Sequence, residues 1–296
     1  MIPFPFQAGQ LGLSSSSGGT QSLWAPANLT VPPSLWFNDD SAVGDEGGGV
    51  IVQWNDISGN GYHFIQVSGS GRRPSAITAG LNGRRTVRFD GVDDMLFNND
   101  GAPRALTQNQ ANFAEFVIYK KTATDGGTAR LATFFSNNAG GSRFSLAVSG
   151  TGGGEANKTR GIARRLDGDA AASLVQATSL GTAWQMALFR VEYANTDGYL
   201  DVNGANDQTN TSFTSSGNTS ATGSSVAISM GGSPAGTGAT PLTSNAADIE
   251  IAERIFIRAA LTQADVDRLF GYAAWRWGLT ADLPALHPYK STPPYV

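Results

Sequence analysis

Residues 50–97 constrain the fold of this chain more than any other stretch. Val50, Val52 and Trp54 alternate on one face of a short run, which is typical of a half-buried strand. The polar run DISGNG at residues 56–61 follows at once and indicates a turn. A second strand candidate, residues 86–89, stops at an Asp-Gly pair. This pattern of short strands and tight turns predicts antiparallel β-structure.

The remainder of the chain repeats the pattern of short strands and tight turns. The 37 glycines and the low charged fraction of 15% suit such turns, and a β-sandwich of this length is commonly one domain. The hairpin signal Asn203-Gly204 supports the same architecture. Further strand candidates lie at residues 113–121, 130–136, 143–149, 161–166, 184–193 and 198–202.

One helix is predicted after the last strand candidate. Thr262 can cap its free N–H groups, Asp265 three residues later makes a weak capping box, and Gly278 ends it. An apolar stripe at helical spacing predicts that the helix packs on a sheet, and its members are Val266, Leu269, Phe270, Ala273, Ala274 and Trp277.

A family resemblance is carried by W-x-D-x-S-G-N-G, the lone Pro74, and N-G-R-x-T-V-R-F-D-G-x-D-D-x-L. This pattern resembles the laminin-G-like branch of the concanavalin A-like lectin/glucanase superfamily. Residues 34–39 stand where such domains carry their first strand, and residues 249–278 resemble their closing strand and helix. Over residues 34–280 the resemblance implies an all-β, concanavalin A-like jelly-roll β-sandwich with one C-terminal α-helix. Because this fold hosts lectins, hydrolases and structural domains alike, it does not fix the function.

The C-terminal part carries a more specific resemblance. A closing strand, L-T-x-x-D, a Tyr/Trp-rich helix ending in W-x-W-G-L, and L-P-x-x-H-P-Y are similar to the ends of laminin-G-like virion proteins of tailed bacteriophages. The resemblance implies a non-enzymatic virion structural protein, such as a capsid decoration, head-fibre or tail-associated subunit. Such a protein is made in the host cytoplasm and released by lysis, which agrees with an N-terminus that does not read as a signal peptide.

The sequence divides into an extended N-terminal arm (1–20), a concanavalin A-like jelly-roll domain (21–280) and an extended, Pro-rich C-terminal tail (281–296). We predict that arm and tail attach the chain to major capsid or tail proteins of the virion, with Phe4, Phe6 and Leu11 as the anchors of the arm. A homo-oligomer is expected. The net charge of −4 with scattered basic residues argues against nucleic acid, and no long apolar run suggests membrane insertion.

Three carboxylates near the C-terminus raise an enzymatic alternative. Glucanases of this superfamily carry E-x-D-x-(x)-E on a strand, and Asp248, Glu250 and Glu253 resemble that motif with the first two residue types exchanged. Glu253 also has the wrong parity to join the others without a bulge. We therefore predict solvated carboxylates on the outer face of a closing strand, and no enzyme.

A calcium site is the second alternative. Asp56, Asp90, Asp93 and Asp94 offer hard oxygen ligands of the kind that Ca²⁺ takes, and related lectins use calcium beside their sugar site. Asp is also favoured in turns, where its side chain forms hydrogen bonds with the nearby backbone. We favour turn chemistry and predict no cofactor, with calcium left open.

A glycan site is predicted on exposed aromatic rings near amides and carboxylates. Tyr62, Trp24 and Trp36 are the candidates, and host-surface glycan is the predicted ligand of a lectin-like domain. The two histidines, His63 and His287, lack partners for a triad or a zinc site and are predicted to pack or to form hydrogen bonds. A carbohydrate-binding module acting off the particle and a glycan-degrading hydrolase remain alternative functions.

Overall fold

The computed structural model places two antiparallel β-sheets face to face, with a helix on the outside of one of them. The predicted all-β sandwich with one C-terminal α-helix is confirmed. Phe4, Phe6 and Leu11 of the predicted arm lie outside the described residues. The structure describes residues 21–45, 49–67, 69–101, 105–122, 130–131, 133–136, 143–148, 157–166, 168–221, 228–234 and 246–296.

Within those ranges the strands are β1 (Leu35–Phe37), β2 (Ala42–Asp45), β3 (Ile51–Trp54), β4 (Phe64–Ile65), β5 (Ser75–Leu81), β6 (Arg84–Asp90), β7 (Leu96–Asn98), β8 (Asn112–Lys121), β9 (Arg130–Leu131), β10 (Thr133–Ser136), β11 (Arg143–Val148), β12 (Thr159–Arg164), β13 (Ala172–Val175), β14 (Gln185–Glu192), β15 (Asp197–Val202), β16 (Ala205–Asn210), β17 (Ile228–Met230) and β18 (Asp248–Ile257).

The first sheet has the order β16-β15-β14-β8-β18-β6-β5, and β1 also pairs with β18. The second sheet has the order β13-β12-β11-β10-β17-β7-β4-β3-β2, with β9 on β11. The two longest strands, β8 and β18, lie side by side in the first sheet. In the sequence, β18 lies more than a hundred residues after β8. The centre of the first sheet therefore forms only when this late strand has paired with β8.

The core between the sheets is built from aromatic rings of both. Phe144 of the second sheet stacks on Phe189 of the first at 4.8 Å between ring centroids, and Phe113 meets Phe144 edge-on at 5.3 Å. Gly161 lies directly over the Phe189 ring, where any side chain would clash. The long, apolar strands therefore supply the hydrophobic surface whose burial stabilises the sandwich.

A helix, α1 (Gln263–Trp277), packs on the outer face of the first sheet. Thr262 Oγ1 accepts a hydrogen bond from the Asp265 N–H at 3.2 Å, the full capping box forms, and Gly278 ends the helix with a φ of 72°. The predicted apolar stripe is buried against the sheet. Among the described residues, no helix has the length and apolar character needed to cross a membrane.

Two local expectations about strands were wrong. Burial in β3 does not alternate: Ile51 and Trp54 are buried, because Ile51 belongs to the inter-sheet core and the Trp54 ring packs edge-on against Phe37 at 5.9 Å. Strand β16 was missed because its sequence, ANDQTN, is polar apart from Ala205. It forms the edge of the first sheet and buries little of either face, so no hydrophobic pattern marks it.

The residues of the predicted tail turn back on the domain instead of running extended. A 3-10 turn, Thr280–Asp282, follows α1, and further turns succeed it. The ammonium group of Lys290 donates to the carbonyl oxygens of Thr280 and Ala281, both at 2.8 Å, and of Leu283 at 2.7 Å. Three carbonyl groups bound by one cation explain why the Pro-rich composition does not give an open chain here.

Candidate functional site

The two ends of the described chain meet beside the C-terminal half of α1. Leu23 forms an antiparallel β-bridge with Tyr295, and the Trp24 N–H donates to the Pro294 carbonyl at 3.0 Å. These backbone contacts hold Trp24 against the helix, where it is 5% exposed. Residues 23 and 24, next to the predicted arm, thus pair with residues 294 and 295 of the predicted tail.

A groove lies between the paired chain ends, the helix and the β5–β6 turn, with a cavity volume of about 480 Å³. Aromatic rings, two guanidinium groups and one amide are the kinds of side chain that orient a sugar ring. We call this cavity the aromatic groove, and it is lined by Leu23, Trp24, Ala25, Asn82, Arg84, Tyr272, Trp275, Arg276, Pro293 and Pro294.

The aromatic rings of the groove are held in fixed orientations. Trp275 is 41% exposed, and its indole N–H donates to the Tyr289 carbonyl at 2.9 Å. The Tyr272 ring meets Trp24 edge-on at 6.2 Å and Trp36 at 6.5 Å between centroids. Trp275 therefore offers an aromatic face that a ligand can reach, and the rings of Trp24 and Tyr272 form the base of the groove.

Two arginines at the rim are paired with two aspartates. Arg84 Nη1 lies 2.9 Å from Asp39 Oδ2, and Arg276 Nη2 donates to Asp39 and, at 2.8 Å, to Asp40. The Arg276 Nε is buried and has no hydrogen-bond partner among the described residues. Two positive and two negative charges cancel, so the groove presents fixed N–H donors without a net charge from these four groups.

A buried carboxylate lies under the groove. Glu253 is 0% exposed and accepts hydrogen bonds from Trp36 Nε1 at 2.6 Å, Tyr272 OH at 2.9 Å and Trp277 Nε1 at 2.6 Å. Burial raises the pKa of Glu253, and the indole donors of Trp277 and Trp36 oppose that rise. A register shift in β18 between Ile251 and Glu253 places the carboxylate on the helix side of the sheet.

The predicted solvated row of carboxylates on β18 is wrong. Glu250 is 4% exposed, accepts from Thr86 Oγ1 and lies 2.9 Å from the Lys120 ammonium. Asp248 accepts from Arg88 and from the hydroxyl group of Thr122. Side chains of the neighbouring strands β6 and β8 supply the partners of Glu250, which is why this carboxylate is paired rather than hydrated.

The structure divides the predicted calcium ligands between two turns. Asp90, Asp93 and Asp94 bring carboxylate oxygens within 4.8 Å of one another, and Asp56 is not in this group. The Asp90 Oδ1 accepts from three backbone N–H groups of its own turn, those of residues 92–94. Burial, and then the neighbouring Asp90, raise the pKa of Asp94 to about 7.

Asp56 is occupied by its own turn. Its carboxylate accepts from the Trp36 N–H at 3.0 Å, the Ser58 N–H at 2.9 Å, the Ser58 hydroxyl at 2.8 Å and the Tyr62 N–H at 3.0 Å. The Asp56 N–H in turn donates to His63 Nδ1 at 3.1 Å. These contacts fit the turn chemistry that the sequence favours.

Of the three predicted glycan-binding residues, Trp24 lines the aromatic groove. Trp36 lies behind Tyr272 and does not line the groove, and Tyr62 packs partly against the inter-sheet core. The sequence analysis did not nominate Trp275. The signal was available, since Trp275 lies outside the apolar stripe of α1.

The second histidine stabilises the turns beyond α1. His287 Nδ1 accepts from the Tyr289 N–H at 3.2 Å, and the imidazole lies 6.0 Å from the Tyr289 ring. Burial lowers the pKa of His287, which favours the neutral ring. Both histidines therefore accept a backbone hydrogen bond through Nδ1.

Comparisons with known proteins place the fold but not a family. No protein-family model matches the chain, and no curated protein matches it. Among solved structures, the binding domain of Paraclostridial Mosquitocidal Protein 1 matches 81% of this chain with a TM-score of 0.56 and 12% identity. The receptor-binding domain of botulinum neurotoxin type G matches 80% with a TM-score of 0.51 and 11% identity.

A third match is the Trypanosoma rangeli sialidase in complex with sialic acid, over 84% of this chain with a TM-score of 0.50 and 12% identity. This chain spans 52%, 50% and 35% of the lengths of the three matched chains. At such identities the likeness establishes the β-sandwich fold alone.

Proposed function

We propose that this chain is the lectin-like part of a non-enzymatic bacteriophage virion structural protein, and that its aromatic groove binds host-surface glycan. The groove carries the proposal. It combines an exposed indole face at Trp275 with oriented donors from Arg84, Arg276 and Asn82, and such a combination suits the apolar face and hydroxyl groups of a sugar.

Two further observations support glycan binding over catalysis. The matched structures include domains described as receptor-binding and a sialidase described with sialic acid, which agrees with a lectin-like use of this fold. The three carboxylates of β18 that resemble a glucanase motif are each bound to neighbouring side chains, and Glu253 is fully buried. A buried, bonded carboxylate cannot reach a glycosidic bond.

The virion part of the proposal rests on the C-terminal resemblance to laminin-G-like virion proteins and on the position of the chain ends. Residues 23 and 24, which follow the predicted arm, and residues 293 and 294 of the predicted tail line the groove. We infer a homo-oligomeric capsid decoration, head-fibre or tail-associated subunit that reaches the virion after synthesis in the host cytoplasm.

A glycan array with matched variants tests the binding function. The wild-type chain should bind at least one host-surface glycan, Trp275→Ala should lose about tenfold or more in affinity, and Trp275→Phe should retain most of it because a π-face remains. Leu286→Ala, which removes an exposed apolar side chain outside the groove, is the control. Equal binding by Trp275→Ala and the control would reject the groove as the site.

Mass spectrometry of purified phage particles tests the virion assignment. The chain should be present in stoichiometric amounts, and deletion of residues 1–20 should reduce its incorporation. Glycan binding together with absence from particles would instead identify a carbohydrate-binding module that acts off the particle.

A further inference from the structure

A second cavity lies at the end of the sandwich where β18 stops and β1 begins. Its volume is about 400 Å³, and it shares no lining residue with the aromatic groove. We call it the Arg258 pocket, because Arg258 is its one charged lining residue. Its lining consists of Val31, Pro32, Pro33, Ser34, Ser58, Asn60, Gln110 and Arg258.

The guanidinium group of Arg258 is held in place but not neutralised. Its Nε donates to Ser34 Oγ at 3.1 Å, which fixes the fork and leaves the two terminal nitrogens for a ligand. Over the part of the chain that the structure describes, no carboxylate lies within ion-pair distance of Arg258. The carboxylate of the adjoining turn, Asp56, is saturated by four donors of its own.

Two amide side chains present acceptors to the same pocket. Asn60 uses its Nδ2 to donate to the Ser34 carbonyl and to Ser58 Oγ, both at 3.1 Å, so its Oδ1 is the free atom. Gln110 uses its Nε2 to donate to the Gln108 carbonyl at 2.6 Å, which leaves its Oε1. Glycines with φ of 93° and 73°, at positions 59 and 61, shape the turn that carries Asn60.

A ligand of this pocket must combine an anionic group with hydroxyl donors. A carboxylate matches the planar guanidinium fork of Arg258, and neighbouring hydroxyl groups can donate to the amide oxygens of Asn60 and Gln110. Inorganic phosphate also matches a guanidinium group, but near neutral pH it carries only one or two P–OH donors, fewer than the hydroxyl groups of a sugar ring. The complementary class is therefore a sugar acid, in which a carboxylate and vicinal hydroxyl groups share one ring.

We propose that the Arg258 pocket binds the carboxylate and adjacent hydroxyl groups of an acidic sugar unit, independently of the aromatic groove. The W-x-D-x-S-G-N-G stretch, which the proposed function leaves unexplained, then has a role: Asp56 folds the turn that presents Ser58 and Asn60 to the ligand.

An NMR titration with D-glucuronate tests this proposal, with D-glucose and inorganic phosphate as the comparison ligands. Glucuronate should bind the wild-type chain, and rising ionic strength should weaken it. Arg258→Gln should lose about tenfold or more, and Arg258→Lys should lose several-fold because it keeps the charge but not the fork. Arg268→Gln, which removes the same charge from a solvent-exposed part of α1, should bind as the wild type does.

Three results would overturn the proposal. Equal glucuronate binding by Arg258→Gln and Arg268→Gln would remove Arg258 from the site, and phosphate binding as tight as glucuronate would indicate general anion attraction. Loss of glucuronate in Trp275→Ala with retention in Arg258→Gln would assign the sugar acid to the aromatic groove. That last outcome rejects the pocket while leaving glycan binding by the chain intact.

Discussion

Glu253 is the residue on which three aromatic side chains converge. Its two carboxylate oxygens accept from two indoles and one phenol, which ties β1 and α1 to β18 beneath the groove. A carboxylate is acceptor-only, so all three donors can be satisfied at once. A glutamine side chain has the same shape, but its NH₂ group would face at least one of these donors and could not accept a hydrogen bond from it.

Glu253→Gln should therefore lower the free energy of unfolding by about 1–3 kcal/mol, the cost of one frustrated buried donor. Urea unfolding followed by tryptophan fluorescence measures it. Glu192→Gln, which changes a carboxylate bonded only to Asn195 near the surface, is the matched control and should cost less than about 0.5 kcal/mol. Equal costs for the two variants would contradict the structural role of Glu253.

Asp94 makes stability depend on pH. Its pKa in the folded chain is about 7 against an ordinary 3.8, so the folded state binds the proton more tightly than the unfolded state. The stability contributed by Asp94 is greatest at low pH and falls as the pH rises towards 7, because unfolding then releases a proton.

Asp94→Asn removes this titration, and the amide oxygen can still accept from the Asp90 N–H. The free energy of unfolding of the variant should increasingly exceed that of the wild type between about pH 4 and pH 7. Above pH 7 the difference should stay constant at roughly 2–4 kcal/mol. Thermal and urea unfolding across this range, with EGTA present, measure it. A constant difference at every pH would contradict the raised pKa, and Asp100→Asn, at an exposed position, is the control.

At the scale of elements, the turns after α1 depend on one lysine. Lys290→Met should cost about 1–3 kcal/mol, because three carbonyl groups lose a charged donor. The loosened segment should also become a faster substrate for carboxypeptidase. Lys158→Met is the control, since the Lys158 side chain has no recorded partner within the described residues. If both variants behave alike, Lys290 does not hold the segment.

Elements with local signals were predictable from sequence, and those fixed by distant partners were not. The cap at Thr262, the stop at Gly278 and the stripe of α1 are all encoded within its own residues. The Asn203-Gly204 signal marks the turn before β16, but the polar sequence of β16 carries no strand pattern of its own. The shift in β18 that turns Glu253 towards the helix has no mark in the sequence, because partners such as Trp36 lie more than two hundred residues away.

At the scale of the molecule, the candidate site also depends on contacts between residues that are far apart in the sequence. Trp24 could be nominated by residue type, but its position in a groove depends on pairing with the far end of the chain. At the rim, Asp39 pairs with both Arg84 and Arg276. These arginines are separated from Asp39 by 45 and 237 positions in the sequence. Such a site is a property of the closed sandwich, not of a motif.

Deletion of residues 291–296 tests the dependence of the groove on both ends. The truncated chain loses Pro293 and Pro294 from the lining but keeps Lys290, so the sandwich should remain folded by circular dichroism. Glycan affinity should fall about tenfold or more, whereas deletion of residues 1–20 should leave it unchanged. Unchanged affinity after the C-terminal deletion would show that the groove does not need the tail.

The bridge between Leu23 and Tyr295 also brings the two ends of the segment 23–295 together, so that this segment is nearly a closed ring. A protein whose entry and exit lie side by side can be grafted into a loop of another protein without stretching it, because little chain entropy is lost at the junction. The same closeness means that a dye attached near Leu23 or Tyr295 would lie beside the aromatic groove. Labels for binding studies belong on the opposite face of the sandwich.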